Sequence, residues 1–299
     1  MEEDMKVRFG FRDIEFPGSG LGQLRDSGSN LEDMSSLRAR MAEDGYLYMS
    51  GLIDRNVVLK ARETVLKHMQ DHQVLTPDTP LLEGVMPKGG KNVRMMGRSG
   101  ISHHPDVLNV AENERLLAFF DRYFEEPALT FHYKWLRGVG NEDYTGAHMD
   151  TVYMGLGSPN LHTVWIPFGD IAVEQGTLAM CAGSNHLEGF ERLRQTYGRM
   201  DVDRDGVEGW FSRDPMEVAE TFGGEWLTSE FQTGDVMIFG LHTMHASTTN
   251  LTNRFRLSCD VRFHPASEPA DKRWTKESTS DFAPESPRPI SKLREEWGI

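Results

Sequence analysis

The chain has 299 residues, with 46 acidic against 32 basic side chains and a formal net charge of −14. That balance speaks against a nucleic-acid binder, which needs a basic face to displace counterions from phosphates. Cys181 and Cys259 are too few for a disulfide framework, and no run of eighteen apolar residues is present to span a bilayer.

A chain of this length can form two domains, but barrel-like β folds commonly use ~200–250 residues as one. The opening MEEDMKVRFG is acidic where a secretory signal is basic and then apolar, so a cytoplasmic, reducing setting is expected. Along NLEDMSSLRARMAEDG, Leu31, Met34, Leu37 and Met41 recur at helical spacing, with Asn30 as N-cap and Gly45 as the stop. YLYMSGL alternates; Asp54 then caps a second amphipathic helix, DRNVVLKARETVLKHMQDH. A third helix, ENERLLAFFDRYFEE, ends before Pro127. Residues 1–127 therefore read as a largely helical N-terminal support. Between the second and third helices, Pro87–Gly100 carries Lys88, Lys91, Arg94 and Arg98 among glycines. It reads as a solvated loop, with a second reading as cations presented to an anionic ligand.

After Pro127 the texture changes to ALTFHYKWLRG, LHTVWIPFGD, TLAMCAG, DVMIFGLH and RFRLSCDVRF. Short β-branched and aromatic runs punctuated by Gly, Asn and Asp predict an antiparallel sandwich or barrel over residues 128–264. A polar insert near 189–227 interrupts it, and residues 265–299 look like a Pro- and Ser-rich tail draped on the surface. The whole is expected to form a single domain.

Within that half, GAHMD places His148 two residues before Asp150, and His245 follows Asp150 by 95 positions. On an extended strand, residues i and i+2 project to one side, so the pair could share an ion. Two imidazoles and one carboxylate leave open positions that suit iron(II), which binds a co-substrate and O2 together. Eleven residues past His245, Arg256 shares a strand face with Ser258. Guanidinium and hydroxyl there converge on a carboxylate, and the distal carboxylate of 2-oxoglutarate fits.

Other candidates read as structural. His103, His104, His162, His186 and His264 are expected to be satisfied or exposed histidines. DVDRDG (Asp201–Gly206) opens like a calcium loop but has Ser212 where a bidentate glutamate is needed, and so reads as a solvated acidic turn. GSGLG (Gly18–Gly22) lacks the strand–helix frame of a dinucleotide loop. Both cysteines are expected to be inert core thiols.

Three segments in order carry a resemblance: HMD; VWIPFGDIAVEQGTLAMCAGSNH; and GDVMIFGLHTMHASTTNLTNRFRLS. Together, over Leu129–Phe263, they resemble the phytanoyl-CoA dioxygenase family of iron(II)/2-oxoglutarate oxygenases. A looser match lies at Asp44–Leu47. The resemblance implies a mainly β fold with flanking helices around a double-stranded β-helix (jelly-roll, cupin-like) core. It implies His148, Asp150 and His245 as iron ligands, Arg256 as the 2-oxoglutarate anchor, and Ser247, Trp165 and Trp135 as linings of the cofactor pocket. Ser258 rests on the strand argument alone. His242 competes with His245, but the interval to Arg256 favours His245. CAGSNH lacks the proline usual in that turn, which does not touch the chemistry.

Halogenases of this group replace the metal-binding carboxylate by a small residue, so Asp150 favours hydroxylation of a small organic molecule with conversion of 2-oxoglutarate to succinate. Desaturation, cyclisation or endoperoxidation use the same cofactors. A non-catalytic cupin-like module that binds or senses metal is a further alternative, against which Arg256 speaks. Acyl-CoA is not implied, because an acidic chain is a poor host for a polyphosphate. The Pro87–Gly100 loop and the Gly189–Leu227 insert are the expected places for substrate contacts. The sequence leaves the oligomeric state open.

Overall fold

The longest strand, Arg256–Pro265, organises the molecule: RLSCDVRFHP alternates polar and apolar residues, yet all ten are buried. A strand of this kind must separate two different interiors, one greasy and one polar. The computed structural model describes residues 5–278 and 286–299, so residues 279–285 of the expected tail lie outside the described residues. Among the described residues the strands are β1 Met5–Phe9, β2 Arg12–Phe16, β3 Gly22–Gln23, β4 Tyr46–Met49, β5 Val93–Arg94, β6 Ala128–Thr130 and β7 Trp135–Val139. They continue with β8 His162–Pro167, β9 Leu178–Ala182, β10 Glu225–Thr228, β11 Val236–Gly240, β12 His245–Ser247 and β13 Arg256–Pro265. The helices are α1 Met34–Asp44, α2 Arg55–Asp71, α3 Pro105–Ala111, α4 Glu114–Phe124, α5 Thr151–Met154, α6 Glu191–Gln195, α7 Pro215–Phe222 and α8 Ile290–Trp297.

The larger sheet runs β4-β11-β8-β13-β7-β5, with β6 also on β13; the smaller runs β12-β9-β10-β3. All these pairings are antiparallel except β3 with β10. Two facing sheets of this kind form the expected jelly roll. The outer face of the larger sheet supplies Leu136, Val164, Ile238, Leu257 and Val261 to a core closed by α2, α3 and α4. Phe120 stacks on Phe263 there, with ring centroids 4.5 Å apart. The inner faces of both sheets meet around Trp165, Leu178, Met180, Phe231, Met237 and Phe239, which plug one end of the roll. The other end is open.

Several boundaries differ from the sequence reading. The N-terminal third is not only helical support: β4 and β5 join the larger sheet, β3 joins the smaller, and β1 pairs with β2 as a hairpin. The insert ends before β10, because Trp226 and Leu227 pair with β9 as part of the smaller sheet. The first helix starts three residues later than its spacing suggested, with Asp33 accepting from the Ser36 N–H in place of Asn30. The described tail is packed rather than draped, with Trp274, Ile290 and Leu293 buried. No described helix is long and apolar enough to cross a membrane.

His162 is a structural histidine, as expected. Its Nδ1 donates to the Asn160 carbonyl at 2.9 Å, and Phe120, Tyr123 and Phe124 ring it. Burial pushes its pKa down from 6.5 to about 4. An unfolded histidine takes a proton below about pH 6.5 that this one refuses, so stability is full above that point and falls as acid approaches pH 4. The slope is at most about 1.4 kcal/mol per pH unit for this group. Melting temperatures at about pH 7 and about pH 5 should differ, and His162→Gln should narrow that difference even though it lowers both values.

Candidate active site

The open end of the roll is a cavity of about 950 Å3. Its floor is built by a backbone pairing: His148 and His245 exchange N–H···O=C bonds of 3.0 and 2.9 Å as an antiparallel bridge. The two imidazoles consequently lie side by side, centroids 4.1 Å apart. The extended arrangement expected for His148-x-Asp150 is not what forms. Pairing ends at His148, and Asp150 adopts a right-handed helical conformation at the start of α5. A turn, not the pleat of a strand, brings the carboxylate back to the histidines.

The Oδ1 of Asp150 lies 3.9 Å from His148 Nε2 and 3.8 Å from His245 Nε2, and one donor atom from each residue falls within 4.8 Å of the others. Each histidine has its tautomer fixed. His148 Nδ1 is 2.8 Å from the Gly146 carbonyl and His245 Nδ1 is 3.0 Å from the Thr243 carbonyl. A carbonyl only accepts, so Nδ1 carries the hydrogen and the Nε2 lone pairs face the carboxylate. Burial lowers both imidazole pKa values, that of His148 to about 3, which keeps them neutral and able to bind a metal. Asp150 is buried too, which alone would raise its pKa. The Arg262 guanidinium and the Thr163 hydroxyl outweigh burial and hold it well below the usual carboxylate range. Thr163 Oγ1 donates to Asp150 Oδ2 at 2.5 Å and Arg262 Nη2 donates to the same oxygen at 3.2 Å. One carboxylate oxygen is held by the protein; the other is free for an ion.

Arg256 is 3% exposed and points into the cavity 5.8 Å from the Trp165 ring. Its Nη1 donates to Ser258 Oγ at 2.6 Å, its Nε is buried without an acceptor, and it has no ion-pair partner among the described residues. Burial pushes its pKa down to about 10. A desolvated, unpaired guanidinium is costly by itself and calls for an anion. The residues present therefore fit both groups: a ferrous ion at the His-Asp-His set and a dicarboxylate reaching Arg256.

The remaining expectations fare differently. Trp165 and Trp135 line the cavity. Ser258 sits against Arg256 and orients it. Ser247 is buried off the cavity wall, its Oγ accepting from the Thr145 N–H at 2.8 Å. His242 is exposed, whereas His245 is buried. Asp201–Gly206 is not a solvated turn: Asp201 and Asp203 grip Arg273, which also pairs with Asp271. Sequence reasoning missed Arg262, Thr163, Asp260 and Arg137. The signal was available, since the alternation that put Arg256 and Ser258 on one face continues to Asp260 and Arg262.

Arg262 stacks on Trp135 at 4.0 Å and holds the oxygen of Asp150 that faces away from the histidines. Arg262→Met should weaken ferrous binding roughly 10–100-fold, read by metal titration, while the fold and Trp135 packing survive.

A family model described as phytanoyl-CoA dioxygenase (PhyH) matches residues 41–258. The chain belongs to the phytanoyl-CoA dioxygenase family. It is an iron(II)- and 2-oxoglutarate-dependent dioxygenase. Among curated proteins it is 25% identical over 250 residues to a 1-deoxypentalenic acid 11-beta-hydroxylase of Streptomyces arenae, covering 79% of this chain and 83% of that one. A Streptomyces exfoliatus protein of the same name is 25% identical over 257 residues, with the same coverage. Among solved structures, the epimerase SnoN in complex with Fe3+, α-ketoglutarate and nogalamycin RO aligns at TM-score 0.57 and 17% identity, over 86% of this chain and 96% of that one. EctD from S. alaskensis with 2-oxoglutarate and 5-hydroxyectoine aligns at TM-score 0.56 and 13% identity, over 97% and 93%. The two structural likenesses show the fold alone.

Proposed function

We propose that this PhyH-family enzyme hydroxylates a small organic molecule, with His148, Asp150 and His245 holding iron(II) and Arg256 holding the distal carboxylate of 2-oxoglutarate. The observation that carries the reading is the buried Arg256, without an ion-pair partner among the described residues, in the same cavity as three convergent metal donors. A barrel that only stores or senses metal has no use for that cation. When bound, iron with 2-oxoglutarate and O2 supplies the oxidising power, with succinate and carbon dioxide as by-products. The chain's own residues do the rest. Gly146 and Thr243 orient the imidazoles, while Thr163 and Arg262 keep Asp150 to one free oxygen. Trp165 and Ser258 pin the guanidinium. The aromatic walls keep water from the reacting end. The hydroxylase names of the two curated relatives support hydroxylation over desaturation or ring closure.

The working compartment is proposed to be the cytoplasm, supported by two buried free thiols whose pKa values burial raises to about 12. No nucleic-acid or membrane partner is proposed, on the ground of the net charge of −14. Ferrous ion and 2-oxoglutarate added together should raise the melting temperature, by about 2.7 kcal/mol of stabilisation at ~100 times the dissociation constant. They should also yield succinate, and a substrate should gain one oxygen atom. Metal-dependent stabilisation without any succinate would support the storage or sensing alternative instead.

A further inference from the structure

Arg94 and Arg137 are Cα partners in the β5–β7 pairing. Directly opposed residues share a face of the sheet, and like charges there repel. Both line the cavity. Arg137 Nη2 is 3.2 Å from Asp260 Oδ2, a carboxylate that Arg262 Nη1 also approaches at 3.7 Å. The Nε of Arg137 is buried without an acceptor. Arg94 has neither an ion pair nor a side-chain hydrogen bond among the described residues. Asp150 and Asp260 are shared by Arg262 and Arg137, and Asp143, the remaining carboxylate near this wall, accepts from the Asn92 side chain and the Tyr144 N–H. The guanidinium of Arg94 is left without a carboxylate of its own among the described residues, on the wall where the two arginines oppose each other.

We propose that Arg94 and Arg137 together hold a carboxylate of the substrate, which is therefore an acid with an apolar body. This rests on the iron and 2-oxoglutarate reading, in which Arg256 is already taken. A monocarboxylate supplies the partner that Arg94 lacks, accepts from two forks at once and leaves Asp260 in place. A phosphate dianion would set a second negative charge against Asp260. Met96, Tyr133, Trp135 and Trp274 beside the arginines offer apolar and aromatic surface for the body of the molecule. The basic Pro87–Gly100 segment thereby acquires a role: Arg94 reaches the cavity, whereas Arg98 is spent on the carbonyls of Arg273 and Thr275.

The test uses cyclohexanecarboxylate, adamantanecarboxylate and abietate, each beside its methyl ester. Binding is measured by calorimetry on metal-free protein and on protein loaded with Mn(II) and 2-oxoglutarate. At least one acid should bind both forms and outcompete its ester roughly tenfold or more. Arg94→Gln, at an exposed strand edge, should cut acid affinity by a similar factor and leave ester affinity unchanged. Arg137→Gln should do the same, with partial recovery in Arg137→Lys. The stabilisation by Mn(II) and 2-oxoglutarate should persist in every variant. Equal binding of acid and ester, no acid bound, or acid affinity unchanged in both Gln variants would overturn the subsite. So would loss of 2-oxoglutarate stabilisation in Arg94→Gln, which would assign these arginines to the co-substrate. Failure of the wild-type protein to gain stability from metal and 2-oxoglutarate is a separate reading. It would sink the iron assignment, while the metal-free binding data still decide the subsite.

Discussion

Arg256→Gln should raise the 2-oxoglutarate dissociation constant about 100-fold or more while leaving ferrous binding almost unchanged. The guanidinium is 3% exposed and anchored by Ser258, with no ion-pair partner among the described residues. Charge-assisted hydrogen bonds contribute ~1.5–3 kcal/mol each, and two to one carboxylate account for that factor. A second consequence separates this role from a structural one. In the ligand-free protein the buried cation is a burden, so glutamine, which can still bond Ser258, should leave the melting temperature unchanged or raise it. What disappears is the extra stabilisation that 2-oxoglutarate confers. Arg256→Lys should recover little, because a point charge lacks the planar fork. A large drop in ligand-free stability with 2-oxoglutarate affinity intact would show that Arg256 serves only packing.

Asp150→Ala should abolish measurable iron binding and turnover. The substitution removes the only acidic donor of the set and strips Arg262 of the oxygen it holds at 3.2 Å. Breaking a buried pair from one side costs ~3–5 kcal/mol, so the metal-free variant should also melt lower. Asp150→Ala combined with Arg262→Met should regain part of that stability but none of the metal affinity. His245→Ala should lose iron as completely. His242→Ala, three residues away and exposed, should bind and turn over as the wild type does. Melting curves and metal titrations on these four variants separate the two effects.

Much of this site was legible because its parts lie in short sequence signatures. HMD, the histidine at 245 and the arginine eleven residues beyond it stood out from the sequence alone, and the strands from Trp135 onward alternate clearly. The parts that were not legible depend on long-range pairing. Asp150 reads as a strand residue because Ala147 and His148 are paired, and only the fold shows the chain turning after His148. β10 was hidden because EWLT is short and follows polar sequence, and it becomes a strand only by lying against Cys181 and Met180. The N-terminal hairpin was there to be read: MKVRF and RDIEF both alternate around a two-residue link whose Gly10 has a φ of 64°. The acidic turn at Asp201 was misread because its partner, Arg273, lies 72 residues away.

The most direct test is an anaerobic titration of the iron(II)-loaded enzyme with 2-oxoglutarate, followed by the visible charge-transfer absorption that appears when a keto-acid chelates iron. One ferrous ion and one 2-oxoglutarate per chain are expected at saturation. The band should be absent in Asp150→Ala and His245→Ala, and in Arg256→Gln it should appear only at far higher 2-oxoglutarate. A band of full intensity in Asp150→Ala, or none in the wild type with iron bound, would contradict the assignment.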